Sequence, residues 1–408
     1  MKSIAPILSL LAIPGLLSAE VVDGNKGELV LKHAADKEGD APLPQEVNPV
    51  FTSSLYQQLR RTEGNVFFSP HSITEAMAMV HAGSGGNTAT QIAKALNFRD
   101  KAPQVAHKLS RQREFFALTL NHGDNALNIA NALCVTGNPP EQAYQDLIRK
   151  EYDGELFAGG LDKINAWVSK KTEGNIDKIL EQLSPHSACV LLNAVYFKGK
   201  WQTPFKSRHT HKAPFHVADD QEVRVDMMMR EGSYRVLREQ GFIAVELPYQ
   251  TSVSMILILP DKADGMEKLD WNYGNGKLTN LHNDLADAPM ERAKLYLPKF
   301  KIATEYDLVQ PMKDLGIKDA FSFEKSDFKI MYGQSQVRIA QIKHKATLEV
   351  DEAGSVAAAA TAVELKEKSA MRPKPTPEIR MDRPFLVVIC ERRSGNSLFM
   401  GRISDPTK

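Results

Sequence analysis

Ala82-Gly83-Ser84-Gly85-Gly86 sets a serine among glycines, the composition of a nucleophile elbow. The spacing is not G-x-S-x-G, and a helix-forming run precedes it where an elbow needs a strand, so a helix-ending turn is the better reading. His209 and His211 stand two apart on a segment expected to be exposed, enough for a weak metal contact at most. His344 falls among strand-like segments and reads as a hydrogen-bonded structural histidine rather than a general base. Neither a G-x-x-x-x-G-K-[ST] phosphate loop nor an H-E-x-x-H zinc motif occurs. Cys134, Cys189 and Cys390 are too few for a disulfide framework and too widely spaced for a zinc site; buried, inert thiols are expected. Since no set of side chains assembles an active site, the chain is not expected to be an enzyme, and neither a metal nor a cofactor is expected.

The rest of the chain has the composition of a soluble globular protein: 42% hydrophobic and 25% charged over 408 residues. Lys plus Arg number 51 against 50 Asp plus Glu, so no net field draws it to nucleic acid or an anionic membrane. Lys2, an apolar run through Leu17 and the small pair Ser18-Ala19 form a secretory leader over residues 1–19, too short and proline-interrupted to span a bilayer. A secreted, extracellular protein is expected. Asn-x-Ser/Thr sequons are absent. Residues 20–47 are polar and turn-rich and read as a flexible extension, leaving 48–408 as a single folded domain.

Within that domain Phe51, Leu55 and Leu59 recur at helical spacing, and Asn65–Phe68 reads as a buried strand. Ser69 and Ser72 are candidate caps of a helix carrying Ile73, Ala76, Met77 and Val80. Further helices are expected from Asn87, over 102–119, over 141–152 and over 163–180. Strands are expected over 127–135, 188–196, 243–248, 253–259, 294–302, 338–341, 346–350, 385–390 and 398–403. Helices dominate the first half and strands the second, without regular alternation, which points to mixed α+β rather than a doubly wound sheet.

One segment fits neither pattern. From Glu352 to Asp382 the chain runs through Gly354-Ser355-Val356, four alanines (Ala357, Ala358, Ala359 and Ala360), then Thr361-Ala362-Val363. No 3.6-residue apolar stripe is present. At period two, Ser355, Ala357, Ala359, Thr361, Val363 and Leu365 share one small or apolar face, a strand without bulk that could slide between existing strands. Further along, Pro373, Pro375 and Pro377 keep the chain extended. A long loop in a compact domain is most often functional.

Several stretches together resemble the serpins, the serine-protease-inhibitor superfamily. They are Asn65-Val66-Phe67-Phe68-Ser69-Pro70-His71-Ser72-Ile73, Trp167 to Gly174, Leu192 to Trp201, the alanine-rich segment, Asp382-Arg383-Pro384-Phe385-Leu386, and Phe399-Met400-Gly401-Arg402-Ile403, in the family's order. The resemblance implies three β-sheets, about nine helices and an exposed reactive-centre loop over about 352–382. It implies a suicide substrate: a target protease cleaves the loop, and the freed segment enters the central sheet while the acyl-enzyme is still attached. On this reading Glu352 starts a hinge, Gly354 is its pivot, Ser355 inserts first, and the run from Ala357 to Thr361 comes after it. Val356 departs from the family's frequent acidic residue without blocking insertion. The family's spacing places the scissile bond at Lys368–Ser369. Ser69, Ser72, Asn193 and His344 match the shutter beneath the central sheet, and Trp201 the breach where the hinge enters.

The local chemistry agrees with that bond. A protease with an acidic specificity pocket needs Lys or Arg before the cut. Arg372 and Lys374 precede prolines and Lys366 precedes Glu367, whereas Lys368 precedes small Ser369. The implied partner is a trypsin-like serine protease in a covalent 1:1 complex with monomeric inhibitor. Two alternatives stay open. A carrier, storage or chaperone role would make the loop a bystander. Lys101, Lys108, Arg111 and Arg113, on the helix that matches the family's polyanion site, could take a glycosaminoglycan, although Asp100 and Glu114 flank them.

Overall fold

Ser69 starts the helix around which the described part of the molecule is built. Its Oγ accepts the Ser72 N–H at 3.1 Å, and Pro70 takes the first turn, where a missing N–H costs nothing. The helices in chain order are α1 (Pro49–Leu59), α2 (Pro70–Ala82), α3 (Gly86–Leu96), α4 (Ala102–Thr119), α5 (Gln142–Tyr152), α6 (Leu161–Lys171), α7 (Met266–Gly274), α8 (Leu281–Ala286), α9 (Val309–Asp314) and α10 (Lys329–Tyr332). Every residue of α2 is buried, polar His71, Ser72, Thr74, Glu75 and His81 included. The computed structural model describes residues 49–408 apart from 121–124, 136–137, 184–188, 219, 263–264, 275–280, 334–336 and 356–374. The leader and the polar extension assigned to 1–47 lie outside the described residues.

The strands are β1 (Val66–Phe68), β2 (Ala126–Val135), β3 (Glu155–Ala158), β4 (Cys189–Lys200), β5 (His211–Ala218), β6 (Gln221–Glu239), β7 (Phe242–Pro248), β8 (Val253–Pro260), β9 (Met290–Pro298), β10 (Phe300–Asp307), β11 (Ile339–Val350), β12 (Gly354–Ser355), β13 (Glu378–Arg380), β14 (Phe385–Glu391) and β15 (Ser397–Ile403). The central sheet runs β10–β11–β4–β2–β3, with β12 on β4. Its middle pair, β11 and β4, is parallel from Ile339↔Cys189 to Thr347↔Tyr196, with His344 opposite Asn193. Beyond that stretch β4 takes a different neighbour: Lys200 and Gly199 pair antiparallel with Gly354 and Ser355 of β12.

The remaining strands are ordered β1–β15–β14–β8–β7–β6–β9–β13, with β5 also on β6. The 19-residue β6 joins two sheets, pairing with β5 and β9 through Arg235 and with β7 from Val236 onward. Counted this way the strands form the three sheets expected, two of them sharing one long strand. The fold is the mixed α+β class read from the sequence.

Three local expectations need correction. The strand over 294–302 is two strands in different sheets: β9 ends at Pro298, β10 starts at Phe300, and Lys299 turns the chain with its N–H on Asp226 O at 2.8 Å. The two strands expected over 338–341 and 346–350 are one continuous strand, β11, which begins at Ile339. The helix expected to reach Leu180 stops at Lys171, where Glu173 and Gly174 adopt φ of +53° and +76°. Asn165 Oδ1 then accepts the Ile179 and Leu180 N–H groups at 3.0 and 3.1 Å, capturing a turn that has left the helix.

Strand alternation divides the core between the two faces of the central sheet. Val190, Leu192 and Ala194 of β4 pack with Ile164 and Val168 of α6, while Leu191 packs with Met77 and the rest of the α2 core. A second cluster holds Phe197, Trp201, Tyr249, Phe385 and Phe399 beneath the head of β4. Among the described residues no helix is long and apolar enough to cross a membrane.

Candidate functional site

The hinge begins as a turn built by Asp351, whose Oδ1 accepts the Ala353 N–H at 2.8 Å and the Gly354 N–H at 3.1 Å. Gly354 sits at φ +156°, and a Cβ there would overlap the Gly199 carbonyl oxygen and lie 2.7 Å from the Lys200 Cα. The absence of a side chain is what lets the hinge approach β4 closely enough to pair. Trp201 holds the turn from below, with its backbone N–H on Ala353 O at 2.9 Å and its indole N–H on Asp351 O at 3.0 Å. Tyr249 stacks on Trp201 with ring centroids 4.5 Å apart, and its hydroxyl lies 2.8 Å from Ser355 Oγ. Burial pushes the Tyr249 phenol well above its ordinary value, against the opposing hydrogen bond from Ser355, so it stays protonated.

Glu352 flanks this turn on its more open side. Its carboxylate lies 2.8 Å from Lys299 Nζ and accepts the Thr210 hydroxyl at 2.8 Å, while Phe205 N–H reaches its carbonyl at 2.8 Å. Burial favours the neutral acid, but the hydrogen bonds from Lys299 and Thr210 outweigh it and hold the carboxyl below its usual range. The same hydrogen bond raises the Lys299 ammonium.

The exposed loop expected over about 352–382 is therefore corrected at its start. Gly354 and Ser355 are buried, and Asp351 N–H donates to Gly354 O at 2.9 Å while the other edge of β12 pairs with β4. The hinge thus occupies the head of the gap between β11 and β4. The remaining hinge residues Ala357, Ala358, Ala359, Ala360 and Thr361, and the assigned bond Lys368–Ser369, lie outside the described residues. The chain is described again from Pro375, and β13 joins β9 in parallel.

Lower in the sheet the structure brings Ser69, Ser72, Asn193 and His344 together. Ser69 N–H donates to His344 Nε2 at 3.2 Å, and His344 Nδ1 meets Asn193 Oδ1 across the parallel β4/β11 pair. Asn193 Nδ2 donates to Ser72 O at 3.1 Å, to Ser72 Oγ, and to Asn131 Oδ1 at 2.5 Å. Complete burial drives the His344 pKa down to about 3, so the ring is neutral near pH 7 and cannot collect a proton as a base there.

The four cations separate, Lys101 preceding α4 and the other three lying on it. Lys101, Lys108 and Arg111 are exposed, with Lys108 Nζ 2.8 Å from Asp100 Oδ2. Arg113 turns inward to Glu75 at 2.7 Å and is 19% exposed, which removes it from any polyanion-facing surface. Sequence reasoning missed Asp351, Tyr249, Lys299, Glu75 and Asn131. The Asp-x-x-Gly spacing of Asp351 and Gly354 was a readable turn signal; nothing local marks the others, whose partners come from distant elements.

The candidate catalytic groups stay apart. Ser84 is buried at the end of α2, its hydroxyl on His81 O at 2.9 Å. His211 Nδ1 lies 3.3 Å from His209 O, and among the described residues no three His, Cys, Asp or Glu side chains gather as metal ligands. All three cysteines are buried and free, and burial raises each thiol's pKa, which makes them poor nucleophiles.

Comparison with known proteins places these features in context. The family model described as Serpin (serine protease inhibitor) matches residues 46–406. An uncharacterized serpin-like protein of Thermococcus kodakarensis is 33% identical, with 92% of this chain and 88% of that protein covered. Serine proteinase inhibitor 2.4 of Apodemus sylvaticus is also 33% identical, with 88% of each covered. Among solved structures, human thyroxine-binding globulin complexed with thyroxine superposes with a TM-score of 0.80 at 27% identity, covering 89% of this chain and 98% of that one.

Proposed function

The chain belongs to the serpin family, and on that footing we propose that it is a secreted inhibitor that traps a trypsin-like serine protease at Lys368–Ser369. The protease's serine Oγ attacks the Lys368 carbonyl carbon, the C–N bond to Ser369 breaks, and the protease's histidine hands its proton to the departing Ser369 amine. Lys368 is left as an ester on the protease. The segment from Val356 onward then extends β12 down between β4 and β11, carrying the tethered enzyme with it. Distortion of the protease's oxyanion hole halts hydrolysis of the ester.

The observation that carries this reading is the antiparallel start of the added strand. Gly354 and Ser355 already pair with Lys200 and Gly199 at the head of a parallel seam, and the residues that come next are small. An extra strand between parallel neighbours supplies ladder hydrogen bonds that the parent sheet lacks. Export is supported by the leader-like residues 1–19.

Incubation with excess trypsin, then a denaturing gel, tests the proposal. A stable band at the summed masses, with a released peptide beginning at Ser369, is the expected result. Cleavage at that bond without a complex would make the loop a plain substrate for trypsin and sink the trapping mechanism for this protease.

A further inference from the structure

The histidine–asparagine contact across the β4/β11 seam does not stop at Asn193. It continues into a chain of hydrogen bonds whose direction is set at both ends. At one end Ser69 N–H can only donate, so the His344 Nε2 that faces it at 3.2 Å must be the unprotonated nitrogen. The ring's proton is therefore on Nδ1 and points to Asn193 Oδ1. That turns the Asn193 NH2 toward Asn131 Oδ1 at 2.5 Å, and turns the Asn131 NH2 toward Glu75 Oε2 at 3.2 Å. Glu75 is an acceptor-only carboxylate and closes the other end. Its Oε1 is held 2.7 Å from the Arg113 guanidinium, which also donates to Glu151 O and lies over the Tyr152 ring at 5.9 Å.

Every link runs the same way: His344 donates to Asn193, Asn193 to Asn131, Asn131 to Glu75. Reversal of any amide would set donor against donor or oxygen against oxygen in a buried, low-dielectric site, where unmatched polar groups are most costly. Glu75 is 1% exposed and Asn131 6%, so bulk water is not the alternative partner. The relay joins α4, α2, β2, β4 and β11, and the Asn193–His344 bond must break when a strand enters between the last two.

We infer that Glu75 and Arg113 are positioning residues for opening of the seam. By presenting a paired, acceptor-only carboxylate to Asn131 they orient both carboxamides and fix the His344 tautomer, and so keep β4 closed on β11 until the loop is cut. The inference rests on the insertion mechanism proposed above, and its test is chosen so that the two can fail separately.

The test measures uptake of a fluorescent synthetic peptide of residues 355–366 into the seam of the intact, uncleaved protein, with no protease present. Glu75→Gln keeps side-chain volume but lets NH2 face Asn131, and Arg113→Met leaves the carboxylate unpaired. Each is expected to take up the peptide about three- to tenfold faster than wild type, as for loss of one member of a coupled buried network. Leu285→Ala, a cavity variant in α8 away from the seam, controls for general loosening. A spectroscopic readout accompanies the rates: in protein labelled with 15N-histidine, His344 should show the Nδ1–H tautomer in wild type and lose that single state in Glu75→Gln. If wild type takes up peptide but both relay variants match it within about twofold with the tautomer intact, the relay has no positioning role and insertion stands. Equal acceleration in Leu285→Ala would also overturn the inference, as mere loosening. If wild type takes up no peptide at all, the seam does not accept a strand, and the insertion mechanism falls together with the relay.

Discussion

Gly354 is the residue at which geometry and function meet most tightly, because a methyl group there would strike the Gly199 carbonyl. Gly354→Ala should cost roughly 2 kcal/mol, the scale of a strained backbone position, and should free the hinge from β4. An unmoved urea midpoint together with unchanged Trp201 fluorescence would mean that the hinge is not seated in solution as described. His344 sets a second residue-scale expectation. Its folded pKa of about 3 lies below the ordinary 6.5, so the unfolded chain binds the proton first as pH falls. Stability is complete above pH 6.5 and is lost progressively toward pH 3, at up to about 1.4 kcal/mol per pH unit. Burial lowers His71 as well, adding in the same direction. Urea unfolding at about pH 7 and about pH 5 should show this slope, and His344→Gln should flatten it; equal slopes in both proteins would remove His344 as its source. His344 was legible as a buried structural group from its strand setting, whereas the inward turn of Arg113 was not, since its partner Glu75 lies 38 positions away in sequence.

The element that matters most is the shortest strand, β12. Ser355 is fully buried between Gly199 and the Tyr249 hydroxyl, so an arginine at that position has to carry an unpaired charge into the sheet or keep the hinge outside it. Ser355→Arg is expected to turn inhibitor into substrate: trypsin should cleave the loop at a near-normal rate while the yield of covalent complex falls by about tenfold or more, as a cost above about 1.4 kcal/mol dictates. Undiminished complex would exclude insertion as the trapping step. The period-two pattern of small residues from Ser355 onward was readable because strand alternation is a local property. That its first residue, Ser355, is already paired together with Gly354 was not, because the acceptor strand is specified by residues far back in the chain. The same limit explains β9 and β10, where an apolar run reads as one strand and Pro298-Lys299 sends its halves into different sheets.

At the scale of the molecule, the proposed mechanism parts the paired strands β4 and β11 to admit one more strand, which would make the intact fold a kinetically held state. About ten inserted residues at roughly 1 kcal/mol each, against about 1.3 °C per kcal/mol for a chain this long, predict that cleavage at Lys368–Ser369 raises the melting temperature by roughly 13 °C. Calorimetry of intact and cleaved protein measures this directly. A cleaved form that melts at the same temperature would point to a non-inserting loop and to a carrier-like role.

Whatever depends on near neighbours and on composition was legible before the chain was folded. The cap at Ser69, the α4 boundaries at Ala102 and Thr119 and the mixed class all come from rules that reach a few residues at a time. Several motifs in a fixed order were enough to indicate the family. The resemblance had grouped Ser69, Ser72, Asn193 and His344 and put Trp201 at the hinge, but the bonds they make and their further partners were settled by the folded arrangement. Asp351 and Trp201 around the hinge, Lys299 on Glu352, and the line from Arg113 through Glu75, Asn131 and Asn193 to His344 each join elements separated by long stretches of chain. Such partners are selected by the requirement that buried polar groups be satisfied, and that requirement has no meaning until the fold has buried them together.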